Sequence, residues 1–191
     1  MHLESTVTRL DSDLVGRARA RDAGAWRTIV QVHKEPVFRL ALLLTGDATD
    51  AAEVAQETFI SAYRHLDRFD GERPLRPWLL RITRSQASNL RRGAARYMRA
   101  LLRFASEAEP PPSSSWQPSG RLWQAIRRLG DGARQVIYLR YFLELSETET
   151  AEVLGVAPGT VKSRHARALQ RLNAVIANEF PDLKPEGGPD V

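Results

Sequence analysis

The stretch "LSETETAEVLGVAPGTVKSRHARALQRL", Leu145 to Leu172, decides the fold. Ser146 followed three residues later by Glu149 is the pattern of a capping box, in which side chains and backbone amides satisfy one another reciprocally and a helix starts. That helix is short, because Gly155 suits a left-handed C-terminal cap and Pro158 suits the first position of a second helix, where a missing amide costs nothing. Only Gly155 to Ala157 remain for the turn, which is the spacing of a helix-turn-helix. On the second helix Val161, His165, Ala168 and Leu172 share a seam expected to pack inward, while Lys162, Ser163, Ala166, Arg167 and Gln170 share the opposite side. A face with two cations, small polar groups and no acid suits the major groove of DNA, whose bases present acceptor edges between flanking phosphates. Lys162 and Arg167 are the expected donors, with Ser163 beside them. Pro158, Gly159 and Thr160 stand at the helix start, where free amides and the positive end of the helix dipole favour a phosphate.

Before this motif lies "SEAEPPPSSSWQPSG", Ser106 to Gly120, whose prolines and serines sustain neither a helix nor a buried face. It reads as a flexible linker, able to reach on the order of 50 Å when extended. Helical periodicity fills 121–178 around "RLWQAIRRLG" and "ARQVIYLRYFLEL", although "VIYLRYFLEL" alone also fits a strand. The end, "EFPDLKPEGGPDV", reads as a disordered tail over 179–191. Residues 11–105 read as four helices after an N-terminal tail, 1–10. Pro36 is expected to kink or split the second of these, Gly46 to stop it, and Asp47 to Asp50 to supply the cap of the third. "DRFDGERPLRP", Asp67 to Pro77, reads as a loop feeding a long fourth helix from about Trp78. The fold class is therefore all-α: two small helical domains on a flexible linker, the second a helix-turn-helix, with no internal repeat and no convincing strand.

Composition narrows the function. The chain has 191 residues, a formal charge of +5 and no cysteine, and its four histidines are dispersed, so neither a disulfide framework nor a metal site is expected and no cofactor is implied. There is no run of eighteen apolar residues and no signal-peptide block, which predicts no membrane insertion and a cytoplasmic protein. Between Glu72 and Glu107 stand nine arginines and no acid, whereas acids gather in "GDATDAAEVAQETF" and "ELSETETAE". Charge segregated by segment points to a polyanionic partner for the basic block.

Three stretches, "LTGDATDAAEVAQETFISAYRHLDRF", "PWLLRITRSQASNLRR" and "LSETETAEVLGVAPGTVKSR", occur in an order that resembles bacterial RNA polymerase sigma factors of the extracytoplasmic-function group, and the resemblance covers nearly the whole chain. It implies that 11–105 recognises and melts the minus-ten promoter element and that 121–178 binds the minus-thirty-five element. It also implies that Asp50, Glu53, Gln56 and Glu57 dock on the clamp helices of the polymerase's largest subunit. Phe59 and Tyr63, on the same helix, are expected in the core. The Asp67 to Pro77 loop, with Arg73 and Arg76, and the helix after it match the part that captures a base flipped from the non-template strand. Unstacking costs a few kcal/mol per base, so a pocket for the extruded base helps hold a duplex open without ATP.

Trp78 is then a wedge against the stack or, equally, a core residue. Ser85 and Asn89 fall near the base pocket, and Arg81, Arg84, Arg91 and Arg92 follow the phosphates. The implied partners are core RNA polymerase, promoter DNA and an anti-sigma factor, and no bond is made or broken. Four positions depart from the family pattern: Ser85 stands where asparagine is frequent, Leu75 for an aromatic, Ala52 for an acid, and His165 for a seam leucine. A buried His165 is expected to make its domain acid-sensitive. Two rival readings are a free-standing helix-turn-helix regulator with a helical sensor domain, and a helical nuclease, whose carboxylates would have to gather around a metal.

Overall fold

The structure, a computed structural model, describes residues 2–71, 73–104 and 120–183. Most of the linker read at 106–120, Glu72 of the loop, and 184–191 of the C-terminal tail lie outside the described residues. The chain divides into two compact units, Met1–Trp116 and Gln117–Val191. Among the described residues every regular element is helical.

The first unit is built on α1 (His2–Arg19), α2 (Ala23–Thr45), α3 (Ala48–Arg64) and α4 (Leu75–Phe104), with a 3-10 turn at Leu66–Arg68. The segment set apart as an N-terminal tail is thus part of α1 from His2 onward. Asp22 caps α2 by accepting from the amides of Gly24 (2.8 Å) and Ala25 (3.1 Å). Pro36 lies inside α2, which runs through it unsplit, contrary to a break. An interior proline costs about 3 kcal/mol, but here the flanking Ile29, His33, Val37 and Leu40 are all buried. The carbonyl that Pro36 leaves without a donor belongs to Val32, on the exposed side of the helix. Gly46, at φ +77°, ends α2, and Asp47 caps α3 by accepting the Asp50 amide at 2.8 Å.

Helices α2, α3 and α4 pack on one another around Ala41, Leu42, Ala51, Val54 and Ala87. Small residues at three of these five positions let the helix axes approach. Thr58 and Thr83 are fully buried without an orphaned hydroxyl, since each donates back to its own helix, to Val54 (2.7 Å) and Leu79 (2.9 Å). Helix α4 starts at Leu75, three residues before the expected Trp78. Two features allow this: Asp11 of α1 accepts the Leu75 amide at 3.3 Å, and Pro77 falls in the first turn, where no donor is needed.

The second unit contains α5 (Arg121–Arg127), α6 (Asp131–Ile137), α7 (Glu147–Leu154) and α8 (Pro158–Glu179). α6 continues into a π-helical turn, Tyr138–Phe142, so the run that alone fits a strand is helical from Val136 to Phe142 and forms no strand after it. Its aromatic residues drive that choice: Trp123 stacks on Tyr138 at 5.4 Å, and Phe142 meets both rings edge-on at about 6 Å. Glu144 then takes a left-handed conformation at φ +54°, and Arg140 holds the corner by donating to the Leu145 carbonyl. The expected tail is corrected at its start. Phe180 is buried under the Arg121 guanidinium, Asp182 pairs with Arg121 at 2.6 Å, and Glu179 pairs with Arg128 at 2.9 Å. The apolar ring of Phe180 extends the ordered unit through a last 3-10 turn, Pro181–Leu183.

Candidate nucleic-acid and polymerase interfaces

The helix-turn-helix forms as its spacing requires. Ser146 Oγ accepts the Glu149 amide at 3.2 Å, and Glu149 Oε2 accepts the Ser146 amide at 2.8 Å. Gly155, at φ +68°, ends α7, and Pro158 opens α8. Val161 and Ala168 are fully buried, fixing the roll of α8, and Lys162, Ser163, Ala166, Arg167 and Gln170 are exposed together on its far side. Arg167 is held along the helix, Nε donating to the Ser163 carbonyl (3.1 Å) and a terminal nitrogen reaching Ser163 Oγ (3.3 Å). At the start of α8 the Thr160 amide is taken by the Ala157 carbonyl at 2.9 Å, as is that of Val161 at 3.3 Å. The amide left for a phosphate is therefore that of Gly159.

Two arginines escaped the sequence reading. Arg164 and Arg171 line an open groove with Arg167 and with Gly130 to Ala133 at the start of α6. Their seven-residue interval, with Arg167 between, is the signal that would have found them. His165 is corrected: it is not in the seam core but half-exposed at its edge, with Nε2 3.1 Å from the Tyr141 hydroxyl and the rings 5.6 Å apart. The burial argument for acid sensitivity loses its premise.

On α4 of the first unit, Leu75, Leu79, Leu80, Thr83 and Ala87 face the core. Opposite them, at helical spacing, Trp78 heads a stripe of exposed Arg81, Ser85, Asn89 and Arg92, the last donating to Asn89 Oδ1 at 2.6 Å. Arg84 and Arg91 fall on the flank, the first half-buried, whereas Arg76 lies in the first turn on the core side, half-buried with its Nε enclosed. Arg73 is exposed and paired with Asp70 at 3.2 Å. Trp78 is half-buried and leans on the buried Phe69, ring centroids 4.9 Å apart. Leu75 is fully buried, so the residue replacing an aromatic serves the core and not the surface.

On α3, Glu53, Gln56 and Glu57 are exposed along one side and Asp50 is half-buried beside them. Burial, and then the charge of Asp47, hold the Asp50 carboxyl above its ordinary pKa. Ala52 is exposed as well, so nothing but solvent replaces the acid frequent there. Phe59 and Tyr63 are not in the core: with Trp26, Val30 and Ile60 they line a surface groove next to Gln56. Trp26 lies 5.1 Å from Tyr63 and 6.4 Å from Phe59. Apolar residues at helical spacing look alike whether they fill a core or a groove, which is why the sequence misassigned them.

An arginine-faced helix in one unit and a helix-turn-helix in the other define a nucleic-acid-binding protein with two separate contact faces. The family model for Sigma-70 region 2 matches residues 29–105 and that for Sigma-70, region 4 matches 119–172. RNA polymerase sigma factor NccH of Alcaligenes xylosoxydans xylosoxydans is 32% identical across 90% of this chain and 97% of its own. The extracytoplasmic-function (ECF) RNA polymerase sigma factor SigW of Bacillus subtilis is 30% identical across 83% and 92%. Among solved structures, CnrH in complex with the cytosolic domain of CnrY superposes with a TM-score of 0.68 at 29% identity, covering 89% of this chain and 99% of that one. The chain belongs to the ECF sigma factors: it is a promoter-specificity subunit that binds core RNA polymerase, recognises the minus-thirty-five and minus-ten elements and promotes promoter melting.

Proposed function

We propose a division of this activity among the residues described. The first unit takes the minus-ten element through the α4 stripe, in which Ser85 and Asn89 face the bases and Arg81 and Arg92 the phosphates, with Trp78 at its head and Arg73, Arg76, Arg84 and Arg91 contacting further phosphates alongside. Half-buried on Phe69, Trp78 offers a platform edge for a flipped base more readily than a free wedge. The second unit reads the minus-thirty-five duplex with Lys162, Ser163 and Arg167, and Pro158 and Thr160 shape the α8 start that presents the Gly159 amide to a phosphate. Arg164 and Arg171 extend the phosphate contact along the flank. The acidic side of α3, Asp50, Glu53, Gln56 and Glu57, docks on the polymerase clamp.

The observation that carries this reading is the segregation of faces on the first unit. The cationic stripe of α4 lies directly opposite its core side, while the acids sit on α3. A nucleic-acid face needs positive charge, and a separate acidic face suits a partner other than the nucleic acid. The protein acts in the cytoplasm by binding alone and catalyses no reaction. Because CnrH is solved with CnrY, and the sigma factor RpoE of Bartonella quintana with the anti-sigma factor NepR, an anti-sigma factor is the expected regulatory partner. Run-off transcription from a promoter library, using core polymerase with and without this chain, tests the reading. New start sites whose use falls with Lys162→Ala or Arg81→Ala are expected, and identical start sites with and without this chain refute it.

A further inference from the structure

The region 2 match begins at residue 29, so α1 lies before it. Yet α1 makes directed polar contacts to the segment between α3 and α4 and to the first amide of α4. Asp11, Ser12, Val15, Ala18 and Arg19 fall on one stripe of α1 at helical spacing. From that stripe Arg19 donates through Nε to the Leu66 carbonyl at 3.1 Å and through a terminal nitrogen to the Phe69 carbonyl. Two turns earlier the buried Asp11 accepts the Leu75 amide on one oxygen, at 3.3 Å, and its other oxygen lies 3.6 Å from Nε2 of the buried His33 of α2. Ser12 approaches Gly71 between these two grips, its hydroxyl 3.7 Å from the position a Cβ would take there.

The consequence is geometric. A guanidinium fork can span two carbonyls three residues apart, which a lysine ammonium cannot do with fixed geometry. Holding the Phe69 carbonyl fixes the ring on which Trp78 leans, and bonding the first amide of α4 fixes where its exposed stripe begins. We propose that α1 is a template for strand capture. Arg19 and Asp11 are positioning residues that preset the Leu66–Phe69 turn and the first turn of α4 for single-stranded DNA, so the ordering cost is met before the promoter arrives. This inference rests on the assignment of these turns to the melted element.

The test uses the full chain, free and with core polymerase. Arg19→Ala should speed amide hydrogen exchange at Leu66–Gly71 and Leu75–Trp78 while α2 and α3 stay protected. Bound to core polymerase, it should bind a single-stranded non-template minus-ten oligonucleotide about tenfold more weakly, the loss of a charge-assisted bond. Its affinity for core polymerase and for duplex minus-thirty-five DNA should be unchanged. Arg19→Lys should fall between, Asp11→Asn, which keeps an acceptor for the Leu75 amide, should stay near wild type, and Asp11→Ala should not. Exchange that rises throughout the first unit, or nowhere, overturns the proposal, as does an Arg19→Ala holoenzyme that binds the oligonucleotide like wild type. A wild-type holoenzyme that ignores the oligonucleotide would overturn the functional assignment and the inference with it.

Discussion

Tyr138 gives the second unit a calculable alkaline limit. Its side chain is 2% exposed and stacked on Trp123, and burial pushes the phenol up to about 12, with Arg134 and Arg127 pulling weakly the other way. In the unfolded chain a tyrosine titrates near 10. Below pH 10 both states keep the proton and the group contributes no pH dependence. Between 10 and 12 the folded state holds a proton that the unfolded state has lost, so stability falls as pH rises. At about 1.4 kcal/mol per pH unit, the loss is about 1.4 kcal/mol by pH 11 and about 2.3 kcal/mol by pH 12, where the folded state itself begins to lose the proton. Tyr138→Phe removes this dependence while keeping the ring. Urea unfolding between pH 8 and pH 11, followed by the fluorine resonance of 5-fluorotryptophan at Trp123, measures it. The expected result is a wild-type stability that declines relative to Tyr138→Phe above pH 10. Parallel curves for the two proteins up to pH 11 would refute the reasoning.

Lys162→Ala and Arg167→Ala should each weaken minus-thirty-five duplex binding by about 1 to 3 kcal/mol for a base contact, read by fluorescence anisotropy. Because Arg167 rests on Ser163, Ser163→Ala should alter Arg167-dependent affinity and leave that of Lys162 intact, as a double-mutant cycle would show. Arg81→Ala and Arg92→Ala should lower holoenzyme affinity for minus-ten DNA evenly across sequences and reduce the salt slope by about 1 each, visible in a titration of potassium chloride. Ser146→Ala should cost about 1 kcal/mol of second-unit stability in urea unfolding, since one of the two capping-box bonds goes.

Local rules were the legible part of the fold. Ser146 with Glu149, Gly46, Asp47, Gly155 and Pro158 each act within a few residues of themselves, and each sits where its chemistry demands. Misreadings arose where a distant residue decides. The start of α4 depends on Asp11, sixty-four positions away, and Phe180 is ordered by a guanidinium from α5. Pro36 is tolerated because the α2 residues flanking it are buried and its orphaned carbonyl faces outward, which periodicity alone does not weigh. Of the candidate site, charge and spacing marked out the α8 face and the stripe of Arg81 and Arg92 that the fold leaves exposed, because exposed polar stripes need no tertiary information. The aromatic groove of Trp26, Phe59 and Tyr63 and the half-exposed His165 stayed hidden, since hydrophobicity alone does not say which apolar residues the fold leaves uncovered.

The pairing of Arg121 with Phe180 and Asp182 clasps the entry and exit of the second unit at one corner. α8 is 22 residues long, so its reading end lies about 30 Å from that clasp. A mechanical pull transmitted along the preceding chain thus meets a guanidinium over a ring and two ion pairs, Arg121–Asp182 and Arg128–Glu179, at the far end of α8 from the α7–α8 turn.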